Sequence, residues 1–324
     1  MPLRRAGLTE VGCAVSGVTR RSGADHNLVA LGSVLAAAIL FGTTGTVLVN
    51  GPPGADAYSV GCIRLTIGGL TLLILTLTEH RRGGVGRLPS PASALLGALG
   101  VAVFQLCYFL AVERTGVAVG TVATIGSGPV LSGVINAVFH RRPPPHAWML
   151  GTGVGVTGVA LLGLLGRGDI STDLAGIGLA VLAGLGWATF ATVGKRQIDR
   201  GVSSTVSMAV MFCGGAVLLS PLLFNHSPAW FGTGRGLITG LYLGVVTVGL
   251  AYWLYGVALR HLTAPTVITL TLLEPITAAA LGAIVVHEHI RPIGWVGVGL
   301  VLAGLVVTAT GASDPPEATT TVAA

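Results

Sequence analysis

The sequence predicts an all-α integral membrane protein with ten transmembrane helices, arranged as two inverted repeats of five helices each. Three observations lead to this fold class. Of the 324 residues, 52% are hydrophobic and only 9% are charged, whereas soluble domains carry about 25% charged residues. Apolar blocks of transmembrane length recur along the chain, and the second half of the chain repeats the pattern of the first.

Ten apolar blocks are each long enough to cross about 30 Å of hydrocarbon. Their approximate bounds are residues 28–49, 57–77, 92–112, 116–138, 147–166, 174–194, 204–224, 236–258, 263–286 and 293–311. Only the residues VERT separate the third block from the fourth, so two full spans and one re-entrant hairpin both fit this stretch. The continuous apolar runs do not match the alternating strands of about ten residues that build membrane β-barrels.

The two halves of the chain match when each residue is aligned with the residue 146 positions later. Matched pairs occur in several separate helices, among them Gly32 with Gly178, Phe41 with Trp187, Gly68 with Gly214, and Pro129 with Pro275. Chance agreement between two Gly-rich halves is the alternative, but one shift that recurs in several helices favours a true repeat. Because each repeat has an odd number of spans, the second copy must enter the membrane upside down, which is the plan of secondary transporters.

These patterns divide the chain into four segments. They are an N-terminal tail at 1–27, a first repeat at 28–166, a second repeat at 174–311 and a C-terminal tail at 312–324. The N-terminal tail contains no apolar core of signal-peptide length. The C-terminal tail is rich in Pro and Thr and is predicted to be disordered.

The distribution of basic residues predicts the orientation in the membrane. With a cytoplasmic N-terminus, thirteen Lys and Arg residues lie on the cytoplasmic side, four lie outside, and Arg64 remains within a span. This bias predicts a multi-pass protein of the inner (plasma) membrane with both termini in the cytoplasm. The basic residues form no continuous face, so the formal net charge of +6 does not predict a nucleic-acid partner.

Three stretches resemble a known family. They are GCIRLTIGGL at 61–70, the block YFLAVERTGVAVGTVATIGSGPV with its repeat partner YGVALRHLTAPTVITLTLLEPI, and the Gly-rich end VVHEHIRPIGWVGVGLVLAGL. On these residues the chain resembles the drug/metabolite transporter superfamily, in the bacterial branch with two EamA-type domains, over roughly residues 28–311. One departure is Arg142, which stands where the repeat shift places Glu288, so the first half lacks a copy of that glutamate.

The resemblance implies a function as well as a fold. It implies export of an amino acid, a related metabolite or an amphipathic drug by alternating access, with a small-molecule substrate and the lipid bilayer as partners. Proton coupling and facilitated diffusion are both open. A lipid or lipid-linked sugar flippase would share the fold and is an alternative cargo class.

Glu274 is the main candidate for a substrate or proton site. If the ninth helix begins near Thr263, Glu274 lies roughly 16 Å along it, close to the middle of the membrane. An ionised carboxylate that faces lipid there is expensive, so Glu274 must face the bundle interior, water or a partner. The adjacent Pro275 removes an intrahelical hydrogen bond and predicts a kink, as Pro129 does in the first half.

Arg64 is the only other ionisable residue clearly inside a span. We expect Glu274 to bind a proton or a substrate amine, and Arg64 to attract a carboxylate or to pair with Glu274. The alternatives are a purely structural ion pair, or an Arg64 side chain that extends to the outer surface.

Several aromatic and polar residues are candidates for the wall of a substrate cavity. Tyr252 and Tyr255 share one helix face at i, i+3. With Gln105, Tyr108 and Trp187 they fit a mostly apolar cavity that has a few polar contacts. An aromatic belt at the membrane surface is the alternative; we expect it for Tyr255, whereas we expect Trp187 to line the cavity.

The sequence predicts no enzyme, no cofactor and no metal site. The four cysteines form no CxxC pair, and His287, Glu288 and His289 lack the HExxH spacing that aligns two histidines on one helical face. The loops offer no Asp-rich or His-rich cluster, which argues against a membrane enzyme acting on lipid. Glycines of the fifth and tenth helices predict that these helices pack closely, either within one chain or in a homodimer.

Overall fold

The computed structural model describes residues 8–81, 87–141, 144–162, 173–285 and 291–313. Within these ranges every regular element is a helix, and no strand occurs. The predicted all-α membrane fold is therefore confirmed.

Ten helices follow one another along the described ranges. They are α1 Leu8–Val49, α2 Ala57–Arg81, α3 Pro91–Gly116, α4 Val119–Phe139, α5 His146–Ala160, α6 Leu174–Asp199, α7 Ser204–Phe224, α8 Gly234–Leu259, α9 Ala264–Val285 and α10 Pro292–Ser313. Nine of these helices in the described part are long and apolar enough to cross a membrane. The exception is α5, which stays helical through Leu162 and then enters a stretch outside the described residues.

The junction between α3 and α4 favours two separate spans over one re-entrant hairpin for the third and fourth blocks. Gly116 breaks the helix with φ 80° and ψ 164°, a conformation that glycine adopts because it has no Cβ. The segments on either side are 26 and 21 residues long. Each is therefore long enough to cross the hydrocarbon layer by itself.

Two helices of the second repeat depart from regular α geometry. Residues Tyr242–Leu250 of α8 form a nine-residue π-helical segment. In α9, Thr271 and Leu272 interrupt the helix between Ala264–Leu270 and Leu273–Val285. Irregular turns of this kind within membrane helices often occur at functional sites.

The glycines of α5 and α10 bring the two backbones into contact. A Cβ atom at Gly151 would lie 2.8 Å from the carbonyl oxygen of Gly304, and one at Gly158 would lie 2.6 Å from that of Gly297. The predicted close packing of the fifth and tenth helices is thus confirmed within one chain.

The two repeats pack against each other in a pseudo-symmetric way. In the first repeat, Gly128 of α4 lies under the Trp187 ring of α6, where an added Cβ would be 2.6 Å from the ring. In the second, α9 lies against Gly42 of α1, where an added Cβ would be 2.8 Å from the carbonyl oxygen of Glu274. The candidate residues therefore lie where helices of opposite repeats meet.

Candidate functional site

Arg64 and Glu274 come together in the interior of the bundle. Arg64 lies about two turns into α2, and Glu274 follows the interruption in α9. Arg64 interacts electrostatically with Glu274, Tyr108 and Tyr252, so groups from α2, α3, α8 and α9 converge at one point. Both charged side chains are only partly buried, although both lie deep within their spans.

The two charges are close enough to interact but do not form a direct pair. Among the residues that the structure describes, no ion pair within 4.0 Å joins Arg64 to Glu274. The Nε atom of Arg64 is buried and has no hydrogen-bond partner. This part of the side chain therefore does not extend to the outer surface, which was the alternative placement. Unpaired charges in an interior are costly, and this arrangement leaves hydrogen-bonding capacity for a bound molecule.

The interruption in α9 positions Glu274. The N–H of Leu272 donates to the carbonyl of Thr269 at 3.0 Å, and the N–H of Glu274 donates to that of Thr271 at 2.9 Å. The Thr271 hydroxyl donates to the carbonyl of Ile268 at 2.7 Å. Glu274 therefore lies in the first turn of the half-helix Leu273–Val285, where the helix dipole favours a carboxylate.

Aromatic rings from four helices form one wall of the site around Tyr252. The ring of Tyr252 lies 4.9 Å from Phe41, 4.1 Å from Phe212, 5.9 Å from Phe190 and 5.7 Å from Tyr255, measured between ring centroids. Tyr252 therefore contacts both the charged centre and a continuous aromatic cluster. This combination suits a ligand with charged and apolar parts.

Tyr108 belongs to the charged centre as well. It interacts electrostatically with both Arg64 and Glu274, and its hydroxyl shares a 3.0 Å hydrogen bond with Thr121 of α4. Sequence reasoning missed Thr121, because a threonine in an apolar helix gives no sign of its partner. The signal for Tyr108 itself was that the third and eighth helices match better at a shift of 147 residues, which pairs Tyr108 with Tyr255.

Tyr255 and Trp187 lie in the packed core. Tyr255 is 0% exposed, so the expectation that it belongs to an aromatic belt at the membrane surface is wrong. Its hydroxyl lies near the Trp187 indole without a well-formed hydrogen bond. Trp187 itself fills the contact between α4 and α6 over Gly128.

Gln105 lines a narrow cavity between α2, α3 and α7. The lining includes neither Arg64 nor Glu274 and consists of Tyr58, Gly61, Cys62, Gln105, Leu106, Phe109, Leu219 and Leu222. Gln105 is only 5% exposed, and its side-chain nitrogen has no hydrogen-bond partner. The structure thus places Gln105 in a cavity that neither Arg64 nor Glu274 lines.

Several candidates fall outside the described residues. They are Arg142, His287, Glu288 and His289. In the ranges that the structure does describe, no group of three or more His, Cys, Asp or Glu side chains could hold a metal ion. The kink predicted at Pro129 falls within α4, which is helical throughout, whereas the interruption in α9 at Thr271 and Leu272 lies three residues before Pro275.

The long apolar helices of the described ranges are those of a multi-pass membrane protein, and the two charges in their interior fit a transporter. The particular family follows from comparison with known proteins. The chain belongs to the EamA-like transporter family, whose model matches residues 28–164 and 174–310. The resemblance seen in the sequence is therefore confirmed.

Two curated relatives and one solved structure illustrate the likeness. The uncharacterized transporter YwfM of Bacillus subtilis (strain 168) is 35% identical over 85% of this chain and 91% of its own length. The threonine/homoserine exporter RhtA of Escherichia coli (strain K12) is 26% identical over 78% of this chain and 81% of its own. A solved crystal structure has a TM-score of 0.73 at 18% identity and covers 89% of this chain and 98% of that chain, which shows the shared fold.

A third relative is named after its cargo. The probable terminal-alkyne amino-acid exporter of Streptantibioticus cattleyicolor is 30% identical over 78% of this chain and 85% of its own length.

Proposed function

We propose that this protein exports a small zwitterionic metabolite, an amino acid or a close relative, across the plasma membrane by alternating access. The observation that carries the proposal is the pair of opposite, unpaired and partly accessible charges of Arg64 and Glu274 at the centre of the bundle. Relatives named as threonine/homoserine and amino-acid exporters support the same substrate class. The positive-inside bias supports cytoplasmic termini.

The two charges suit the two ends of an amino acid. The guanidinium of Arg64 presents a planar set of donors that matches a carboxylate. Glu274 accepts the substrate ammonium group, and the aromatic wall around Tyr252 packs against the apolar part of the substrate. An amphipathic cation would need only Glu274, so a requirement for Arg64 distinguishes a zwitterion from a cationic drug.

Glu274 also couples transport to protons in this proposal. The carboxylate binds the substrate ammonium in one state and takes up a proton once the substrate has left. With the zwitterion bound the site has no net charge, and after the substrate has been exchanged for a proton the site keeps the single positive charge of Arg64. The half-helix Leu273–Val285 favours the ionised form through its dipole, so Glu274 gives up its proton again when the next substrate ammonium binds.

The direct test compares small molecules in the medium of cells that overproduce the wild type, Glu274→Gln or Arg64→Gln at matched membrane levels. Asp199→Asn is the control, because Asp199 is an exposed carboxylate that pairs with Lys195 at 2.6 Å away from the site. We expect an amino acid or related zwitterion to accumulate outside with the wild type and the control only. If every variant enriches the same molecule as strongly as the wild type, the site is wrong; if the wild type enriches nothing, export is wrong.

A further inference from the structure

A cluster of charged and aromatic side chains closes one end of the bundle. We call it the Tyr58 latch and define it as Asp56, Tyr58, Glu113 and His226. The Tyr58 hydroxyl donates to Glu113 Oε2 at 2.7 Å, and its ring stacks on the imidazole of His226 with centroids 4.2 Å apart. His226 Nδ1 lies 3.2 Å from Asp56 Oδ1. Tyr58 is thus held from both sides.

Asp56 is itself fixed by its neighbours. Its carboxylate accepts hydrogen bonds from the backbone N–H groups of Tyr58 and Ser59 and from the Ser59 hydroxyl. The same hydroxyl accepts the indole N–H of Trp230 at 2.8 Å. Partial burial opposes ionisation, but these hydrogen bonds hold the pKa of Asp56 below its usual value, so the latch contains a carboxylate at neutral pH.

The latch joins the two repeats. Asp56, Tyr58 and Glu113 belong to the first repeat, whereas His226 and Trp230 belong to the second. In alternating access, one repeat moves against the other around a central site, so the contacts between repeats at each end must break in turn. The charge bias predicts that this end is extracellular.

The narrow cavity lined by Gln105 lies directly behind Tyr58. Gly61 lines this cavity, and Arg64 lies three residues further along α2, on the same face of the helix. The unpartnered nitrogen of Gln105 is a buried donor in the wall of the same cavity. A buried donor without an acceptor is costly, and a carboxylate passing through would satisfy it.

We propose that Tyr58 is the extracellular gate of the substrate path and that Glu113 and the Asp56–His226 pair hold it shut. The inference rests on the proposed transport function, because a gate has meaning only on a route for substrate. Loss of the hydrogen bond from the Tyr58 hydroxyl to Glu113, or of the His226 ring that stacks on Tyr58, destabilises the conformation in which the extracellular end is closed. The space behind Tyr58 then opens to the outside more often.

Cys62 provides a readout that needs no substrate. Its thiol is 2% exposed and lines the cavity behind Tyr58, so a membrane-impermeant thiol reagent reaches it only when the gate opens. The measurement is the labelling rate of Cys62 in intact cells and in inverted vesicles, in a background where Cys13, Cys107 and Cys213 are replaced by alanine.

Tyr58→Phe and His226→Gln are the test variants. Tyr242→Phe is the matched control, because it removes another tyrosine hydroxyl bond between the repeats, the 3.1 Å contact from Tyr242 to Thr43. We expect labelling from outside to rise several-fold with both test variants and to stay at the wild-type rate with the control. Equal labelling in all variants, or a rise only in inverted vesicles, overturns the proposal.

The outcome is separable from that of the transport proposal. If labelling rises as expected while metabolite profiles show no exported zwitterion, the gate stands and the proposed cargo fails. If the cargo is found but labelling does not respond, Tyr58 is not the gate.

Discussion

The two repeats use equivalent positions in opposite ways. The 146-residue shift pairs Gly128 and Pro129 of α4 with Glu274 and Pro275 of α9. In α4 the helix runs without interruption, both residues are buried, and the Trp187 ring covers Gly128. In α9 the helix is interrupted at Thr271, and both residues are partly exposed beside Arg64.

The difference shows how a repeated fold can carry a single site. Because position 128 is a glycine, the ring of Trp187 from the other repeat packs directly against α4. A glutamate at the equivalent position, 274, places a carboxylate there, which interacts electrostatically with Arg64. The repeat supplies the scaffold twice, whereas the carboxylate is present at one of the two positions only.

The largest expected effect comes from placing the second repeat's charge in the first. Gly128→Glu puts a carboxylate under Trp187, where no described cation faces it, and should destabilise the fold by on the order of 3 kcal/mol or more. The check is the yield and melting temperature of the purified protein. Gly128→Gln separates overpacking, about 1–3 kcal/mol, from the charge. A Gly128→Glu protein as stable as the wild type would show that the two positions are interchangeable.

Substitutions of Arg64 test the role of the charges that lie near position 274 of the second repeat. Arg64→Gln removes a charge-assisted hydrogen bond to the substrate carboxylate, worth about 1.5–3 kcal/mol, and should weaken substrate binding roughly ten- to hundred-fold. Arg64→Lys keeps the charge but loses the planar fork, so its loss should be smaller. The measurement is transport of the identified substrate into proteoliposomes. Equal activity of all three forms would remove Arg64 from the site.

Pro275 tests whether the interruption in α9 matters. Pro275→Ala restores an N–H that favours a regular helix and should turn Glu274 away from its present position. We expect transport to fall by a factor of about five, which corresponds to about 1 kcal/mol. Pro129→Ala is the matched control and should leave transport unchanged, because α4 is already regular. If the control loses as much activity as Pro275→Ala, the two prolines have the same role.

The smallest expected effect concerns a carboxylate outside the membrane. Because the pKa of Asp56 is lowered in the folded protein, its contribution to stability is present above its usual pKa of about 3.9 and is lost as the pH falls through the folded value. Asp56→Asn should therefore melt below the wild type at neutral pH, and the difference should shrink in acid. The side chain is 38% exposed, so the effect is modest. A difference that is constant with pH would contradict this assignment.

Much of this architecture follows from the sequence, because lipid imposes simple rules. Apolar length predicts the spans, and the glycines of α5 and α10 predict their contact. The cost of a charge in the membrane interior already places Arg64 and Glu274 inside the bundle. Each of these rules can be applied to the sequence of a single helix, without knowledge of its neighbours.

What the sequence did not reveal depends on neighbouring helices. An aromatic residue near a helix end fits a membrane-surface belt and a packed core equally well, and only the contacts of Tyr255 with Phe190 and Tyr252 decide between them. The hydrogen bond between Tyr108 and Thr121 joins α3 to α4. The hydrophobic pattern of the sequence does not determine how these two helices are rotated relative to each other. Pro275 indicated a bend, but the interruption lies at Thr271, where the hydroxyl bonds back to Ile268.

The central claim is that Glu274 serves transport and not stability. It is tested most directly by measuring substrate exchange across the neutral pH range and the melting temperature in one preparation of wild type and Glu274→Gln proteoliposomes. We predict that the variant exchanges substrate at least about ten-fold more slowly, the equivalent of about 1.4 kcal/mol, with a flat pH profile and an almost unchanged melting temperature. A variant with the wild-type rate and pH profile, or one that mainly loses stability, would contradict the account.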